Sequence, residues 1–199
     1  MIKDGAGGDG LRDAIRLVAI LNLVYFGVEF AVARTIGSVS LFADSIDFLE
    51  DASINFLILI ALRWSAVHRS RVGMVLAGIL LVPGFAVLWT AWQKFSVPVP
   101  PSSMALSLAG TGAFVVNLSC AFLLTRYRQH PGSMIRAAFL SARNDVLANI
   151  AIVGAGLSTI YIRSAWPDLI VGLGIALMNA GAAKEVYEAA CEENRKTHP

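Results

Sequence analysis

Charge is what this chain lacks most. Only 15% of its 199 residues are Asp, Glu, Lys or Arg, against about 25% in ordinary soluble domains, while 56% are hydrophobic. That balance excludes a large water-soluble core and points to a membrane protein. A net charge of +2 and the absence of any Lys/Arg-rich run argue against a nucleic-acid partner. Cysteine is scarce too. Cys120 falls in an apolar stretch and Cys191 in the tail, with no CxxC, so neither a disulfide nor a zinc ribbon is expected. The three histidines, His68, His130 and His198, lie outside the apolar stretches and read as solvated loop residues. Met1 to Gly10 is polar and glycine-rich, with Asp4 and Asp9, unlike a cleaved signal peptide. Residues 1–11 are expected to form a flexible cytoplasmic leader.

What is present is a series of apolar stretches, each long enough to cross a hydrocarbon core of about 30 Å. They fall at residues 14–34, 39–62, 72–93, 104–125, 135–161 and 166–187. The prolines of Lys94-Phe-Ser-Val-Pro-Val-Pro-Pro-Ser-Ser103 forbid helix between the third and fourth. Arg126 to Gly132 breaks the chain again before the fifth. The expected fold is an all-α, six-transmembrane-helix bundle spanning residues 12–187, with a short tail at 188–199. Gly78, Gly154, Gly156, Gly172 and Gly174 are expected at close helix contacts.

Basic residues set the orientation. Lys3, Arg12, Arg16, Arg63, Arg69, Arg71, Arg126, Arg128, Arg136, Lys184, Arg195 and Lys196 fall on one side, and only Arg34, Lys94 and Arg163 on the other. Both termini are therefore expected in the cytoplasm.

Against this apolar background the second span carries Asp44, Asp47, Glu50 and Asp51. A carboxylate at the bilayer centre costs about 2.5–3.5 kcal/mol on insertion scales, so several together need a compensating partner. Asp47 and Asp51 are four residues apart and share a helix face. They lie roughly 12–18 Å along span two, and Asp145 lies roughly 15 Å along span five, at 1.5 Å per residue. Ser141 precedes Asp145 by four. Two such pairs facing each other make a four-oxygen cage suited to a divalent cation.

The motif Gly37-Ser-Val-Ser-Leu-Phe-Ala-Asp44-Ser-Ile-Asp47-Phe-Leu-Glu-Asp51 resembles the second-span motif of the cation diffusion facilitator family. Ala138-Phe-Leu-Ser141-Ala-Arg-Asn-Asp145-Val-Leu-Ala-Asn149 resembles the fifth-span motif, and Trp166-Pro-Asp168 is similar to the Asp-Pro region opening the sixth. The resemblance implies that Asp47, Asp51 and Asp145 are ligands in an alternating-access exporter of divalent metal, possessing no other cofactor. It also implies a homodimer, and a multi-pass location in a bacterial inner membrane fits it. The fifth-span pair departs from the family pattern: Ser141 stands where His or Asp is usual. A neutral hydroxyl is a poor zinc ligand, which favours a harder ion such as Mn²⁺, an additional ligand, or lost transport. That histidine commonly serves proton exchange in the family, so Asp47, Asp51 or Asp145 would have to carry any exchanged proton here. The chain also reads as ending soon after span six, without the family's cytoplasmic metal-binding domain.

Plainer roles stand beside these. Asp44 is read first as a cap or bundle hydrogen-bonding residue, with ligation the alternative. Glu50 is placed to pair with Arg143, which otherwise snorkels. Glu29 and Asn22 share one face of span one, and Asn149 extends the face of Asp145. Three functions compete: export of zinc, manganese, iron, cobalt or cadmium; a transport-inactive metal-binding accessory or sensor; and an intramembrane enzyme. The last is disfavoured. The Tyr-Asp plus Gly-x-Gly-Asp pattern of membrane aspartyl proteases is missing from the spans, and Ser141 has no span histidine as its base.

Overall fold

The computed structural model describes residues 4–61, 85–126 and 133–178, with side chains for 10–59, 85–126 and 142–178. The described residues form six helices and no strand. They are α1 (Asp4–Ile36), α2 (Val39–Ala61), α3 (85–96 in its described part), α4 (Ser103–Thr125), α5 (Ser133–Ile162) and α6 (Trp166–Met178). The expected all-α membrane bundle is the fold. Spans two, four and five lie within two residues of their expected bounds. The expected third span is described only from residue 85, and the sixth only to Met178.

One difference is at the start. Helix α1 begins at Asp4, so the segment expected as a leader is helical from there. Each glycine costs about 1 kcal/mol against Ala, but extending an existing helix adds a backbone bond per residue. Asp4 and Asp9 also lie at the end where the helix dipole favours negative charge.

By length and apolarity, Gly10–Ile36, Ser103–Thr125 and Ala142–Ile162 can each cross a bilayer. Helix α2 is long enough, but its four acidic residues set it apart. Val24, Val28, Met104, Phe122, Leu147 and Tyr161 are exposed on the outside of the bundle, the inverse of a soluble protein and the pattern a lipid-facing surface requires.

Helices α1 and α2 form one extensively packed pair, α4 and α5 another, with α1 on α4 and α2 on α5 closing the bundle. Gly110 and Gly156 permit the close α4–α5 approach: a Cβ on the first would strike Ile152, and on the second Ser107. Gly172 lies hard against the backbone of Val39 and Ser40. Among the described residues nothing approaches Gly154 or Gly174, so neither is a close-packing position there; Gly78 lies outside the described residues.

The turn from α1 to α2 is tight. Gly37 adopts φ +64°, a conformation that suits glycine, and the Ser38 amide donates back to Ala33 O at 3.1 Å, the longer bond of a Schellman ending. So short a turn leaves the two helices antiparallel and fixes which residues face each other.

Candidate metal centre

The α1–α2 register follows from its ring contacts. Tyr25 meets Phe48 at 5.0 Å between centroids, and Phe30 meets Phe42 at 5.5 Å. Between these contacts Glu29 comes opposite Asp44. One turn beyond Tyr25–Phe48, Asn22 comes level with Asp51. The acidic stripe of α2 is thus covered by the polar residues of α1, and Asn22, Glu29, Asp44, Asp47 and Asp51 are all buried. Tyr25 Oη donates to Ala109 O at 2.6 Å, and Cys120 Sγ lies 3.7 Å from Asn22 Oδ1, so α4 closes the same region from its side.

Helix α5 contributes Asp145. Its carboxyl lies within hydrogen-bonding reach of Asp51. Among the described residues, the charged groups acting on Asp47 are Asp145, Asp44, Glu50 and Asp51, every one acidic. Asn55 Nδ2 donates to Asp51 O at 2.8 Å and Asn149 Nδ2 to Asp145 O at 2.7 Å. Each amide is therefore locked to the helix one turn back, and each leaves a buried Oδ1 with no hydrogen-bond partner. Such a region gathers acidic groups in a low-dielectric surrounding, where the attraction of a carboxylate for a cation is strongest. Its oxygen donors suit hard or borderline divalent cations.

The expected ligands are thus partly gathered. Asp47, Asp51 and Asp145 are neighbours from two helices, but among the described residues no three His, Cys, Asp or Glu side chains are close enough to hold a metal ion. Ser141 lies within α5, and its side chain is outside the described residues. Arg143 is exposed, and no ion pair joins it to Glu50. An arginine facing outward can extend its long stem away from the bundle, which leaves the half-buried Glu50 beside Asp51.

A second cluster sits at the start of α2 and escaped the sequence reading. Asp168, fully buried near the start of α6, accepts from Ser38 Oγ and Ser40 Oγ at 2.6 Å each. It also accepts from the amides of Val39 at 2.9 Å and Ser40 at 3.1 Å. Lys94 Nζ pairs with it at 3.2 Å and donates to Gly37 O as well. The amides at the N-terminus of α2 are orphan donors, and a carboxylate from another helix satisfies two of them. Ser38 Oγ caps a third, Leu41 N, at 3.1 Å. Phe95 packs edge-on to Trp166 beside this clamp, at 5.1 Å. The clamp joins α2, α3 and α6 and sets where the α2 stripe begins. The sequence signal was two opposite charges at the ends of apolar spans predicted to open on the same side.

Fold and site together define an integral membrane bundle with a buried acidic stripe shared between two helices. The chain belongs to the cation efflux family, whose transmembrane domain matches residues 15–188. It is 26% identical over 192 residues to the zinc transporter ZitB of Pectobacterium atrosepticum, covering 89% of this chain and 60% of that protein. It is 27% identical over 194 residues to the cation-efflux pump FieF of Salmonella typhi, covering 89% of this chain and 63% of that protein. The chain thus spans about three fifths of the length of these relatives.

Proposed function

We propose that this chain exports a divalent metal cation from the cytoplasm, with Asp47, Asp51, Asp145 and Ser141 holding the ion near the middle of the membrane. The observation that carries the reading is the meeting of Asp51 from α2 and Asp145 from α5, with Asp47 beside them and, among the described residues, acidic groups acting on Asp47. A cation is the partner that offsets this cost. Family membership and the functions named for the two relatives, zinc transport and cation efflux, support the same reading.

In this reading the cluster closes around the ion as α2 and α5 shift, and alternating access exposes it to each side in turn. Both termini are cytoplasmic, on the basic-residue distribution. The location is a bacterial inner membrane, and the functional unit is a homodimer. The cargo is of the zinc, manganese, iron, cobalt or cadmium type. Ser141 in place of a stronger ligand favours a harder ion, and proton exchange, where it occurs, runs through the three aspartates. The test is metal content in cells lacking their own exporters: expression lowers accumulated metal, and Asp51→Ala abolishes the effect. Unchanged metal content with wild-type protein in the membrane would support a transport-inactive, metal-binding role instead.

A further inference from the structure

We propose that Glu29 and Asp44 form a second cation site, distinct from Asp47, Asp51 and Asp145, which takes a divalent metal ion between that cluster and the α1–α2 turn. Two independent observations carry it. The first is register: the Tyr25–Phe48 and Phe30–Phe42 contacts bracket the position and bring Glu29 opposite Asp44, and the two carboxyl groups lie within reach of each other. The second is the state of the oxygens. Both residues are fully buried, and among the described residues no group outside the pair donates a hydrogen bond to any of their four carboxyl oxygens.

Asp168 shows what a structural carboxylate looks like in this molecule, with two hydroxyls, two amides and an ammonium around it. Glu29 and Asp44 have none of these. Among the described residues, the charged groups acting on Glu29 are themselves acidic, Asp44 and Asp47. Orphaned polar atoms in a buried site are costly, and orphaned carboxylates more so. A cation between the two side chains satisfies all four oxygens at once. The donor set is oxygen only, with the Tyr25 phenol beside it, which suits a hard divalent ion retaining part of its water shell.

The position gives the site a role. Asp44 lies about 7 Å from the start of α2, and Asp47 and Asp51 follow about 4.5 and 10.5 Å further along. An ion leaving the main cluster toward the turn meets Glu29 and Asp44 next, so the pair is a staging point on the way out.

The experiment is a Mn²⁺ titration of the full chain in lipid nanodiscs, with free Mn²⁺ read by electron paramagnetic resonance. Wild type is expected to bind two ions per chain. Asp51→Asn/Asp145→Asn keeps one, and adding Glu29→Gln to that background removes it. Glu29→Gln alone lowers the wild-type count to one. Should Glu29→Gln not fold, Asp44→Asn is read in the same way. A count unchanged by both Glu29→Gln and Asp44→Asn means the pair is neutralised by protons alone; it overturns this site and leaves the main cluster standing. Loss of every ion in Asp51→Asn/Asp145→Asn also overturns it. A count unchanged in that double variant but lowered by Glu29→Gln sinks the main cluster and keeps the second site.

Discussion

Replacing Asp168 by alanine removes the acceptor on which five donors converge. Hydrogen bonds to a charged group contribute about 1.5–3 kcal/mol each, but contacts in one network do not add. A better guide is the cost of breaking a buried pair from one side, about 3–5 kcal/mol. Lys94 is 7% exposed and Asp168 fully buried, so that range applies without discount for solvent. Asp168→Ala strands the Lys94 ammonium, the Val39 and Ser40 amides and two hydroxyls together. Its expected cost is therefore at the upper end, about 4–5 kcal/mol. Lys94→Met leaves Asp168 with four of its donors, and about 1–3 kcal/mol is expected. The assay is reversible unfolding in mixed micelles, followed by circular dichroism, for both variants and the double variant. The double variant should cost less than the sum, because each single change strands what the other removes. A loss under about 1 kcal/mol for Asp168→Ala, or a larger loss for Lys94→Met than for Asp168→Ala, would refute the reasoning.

Glycine variants test the packing. Gly172→Ala forces a Cβ against the Val39 and Ser40 backbone at 2.7 Å and should cost about 1–3 kcal/mol by the same unfolding assay. Gly154→Ala enters open space and should be neutral or stabilise by up to about 1 kcal/mol; a large loss there would contradict the assigned outward face. Leu106→Ala, at a fully buried core position, should cost about 2–5 kcal/mol.

The helices were legible because a span is a run of apolar residues whose length is set by the bilayer, and prolines or charges mark its ends. Three of the six spans were placed to within two residues for that reason. The Asp47–Asp51 stripe was legible for another: a carboxylate in such a run is expensive enough to stand out. Asp145 could be matched to it by depth alone. Contacts between distant residues were harder. Lys94 and Asp168 are 74 positions apart, and no periodicity links them. Glu29 and Asp44 were each noticed, but their pairing depends on the register that the Gly37 turn imposes. The glycines show the limit most simply. Gly154 and Gly156 sit in one apolar helix, yet one faces open space and the other packs on Ser107, because a helix apolar all round carries no mark of which side meets a neighbour.

In the proposed function, the acidic cluster shared by α2 and α5 carries a metal ion across the membrane. Flux into sealed proteoliposomes tests it most directly, with Zn²⁺, Mn²⁺, Fe²⁺, Co²⁺ and Cd²⁺ in turn and Asp51→Ala and Asp145→Ala beside wild type. Saturable uptake of at least one ion is expected from wild type, and none from either variant. Equal flux in wild type and both variants, with all three proteins folded, would contradict it.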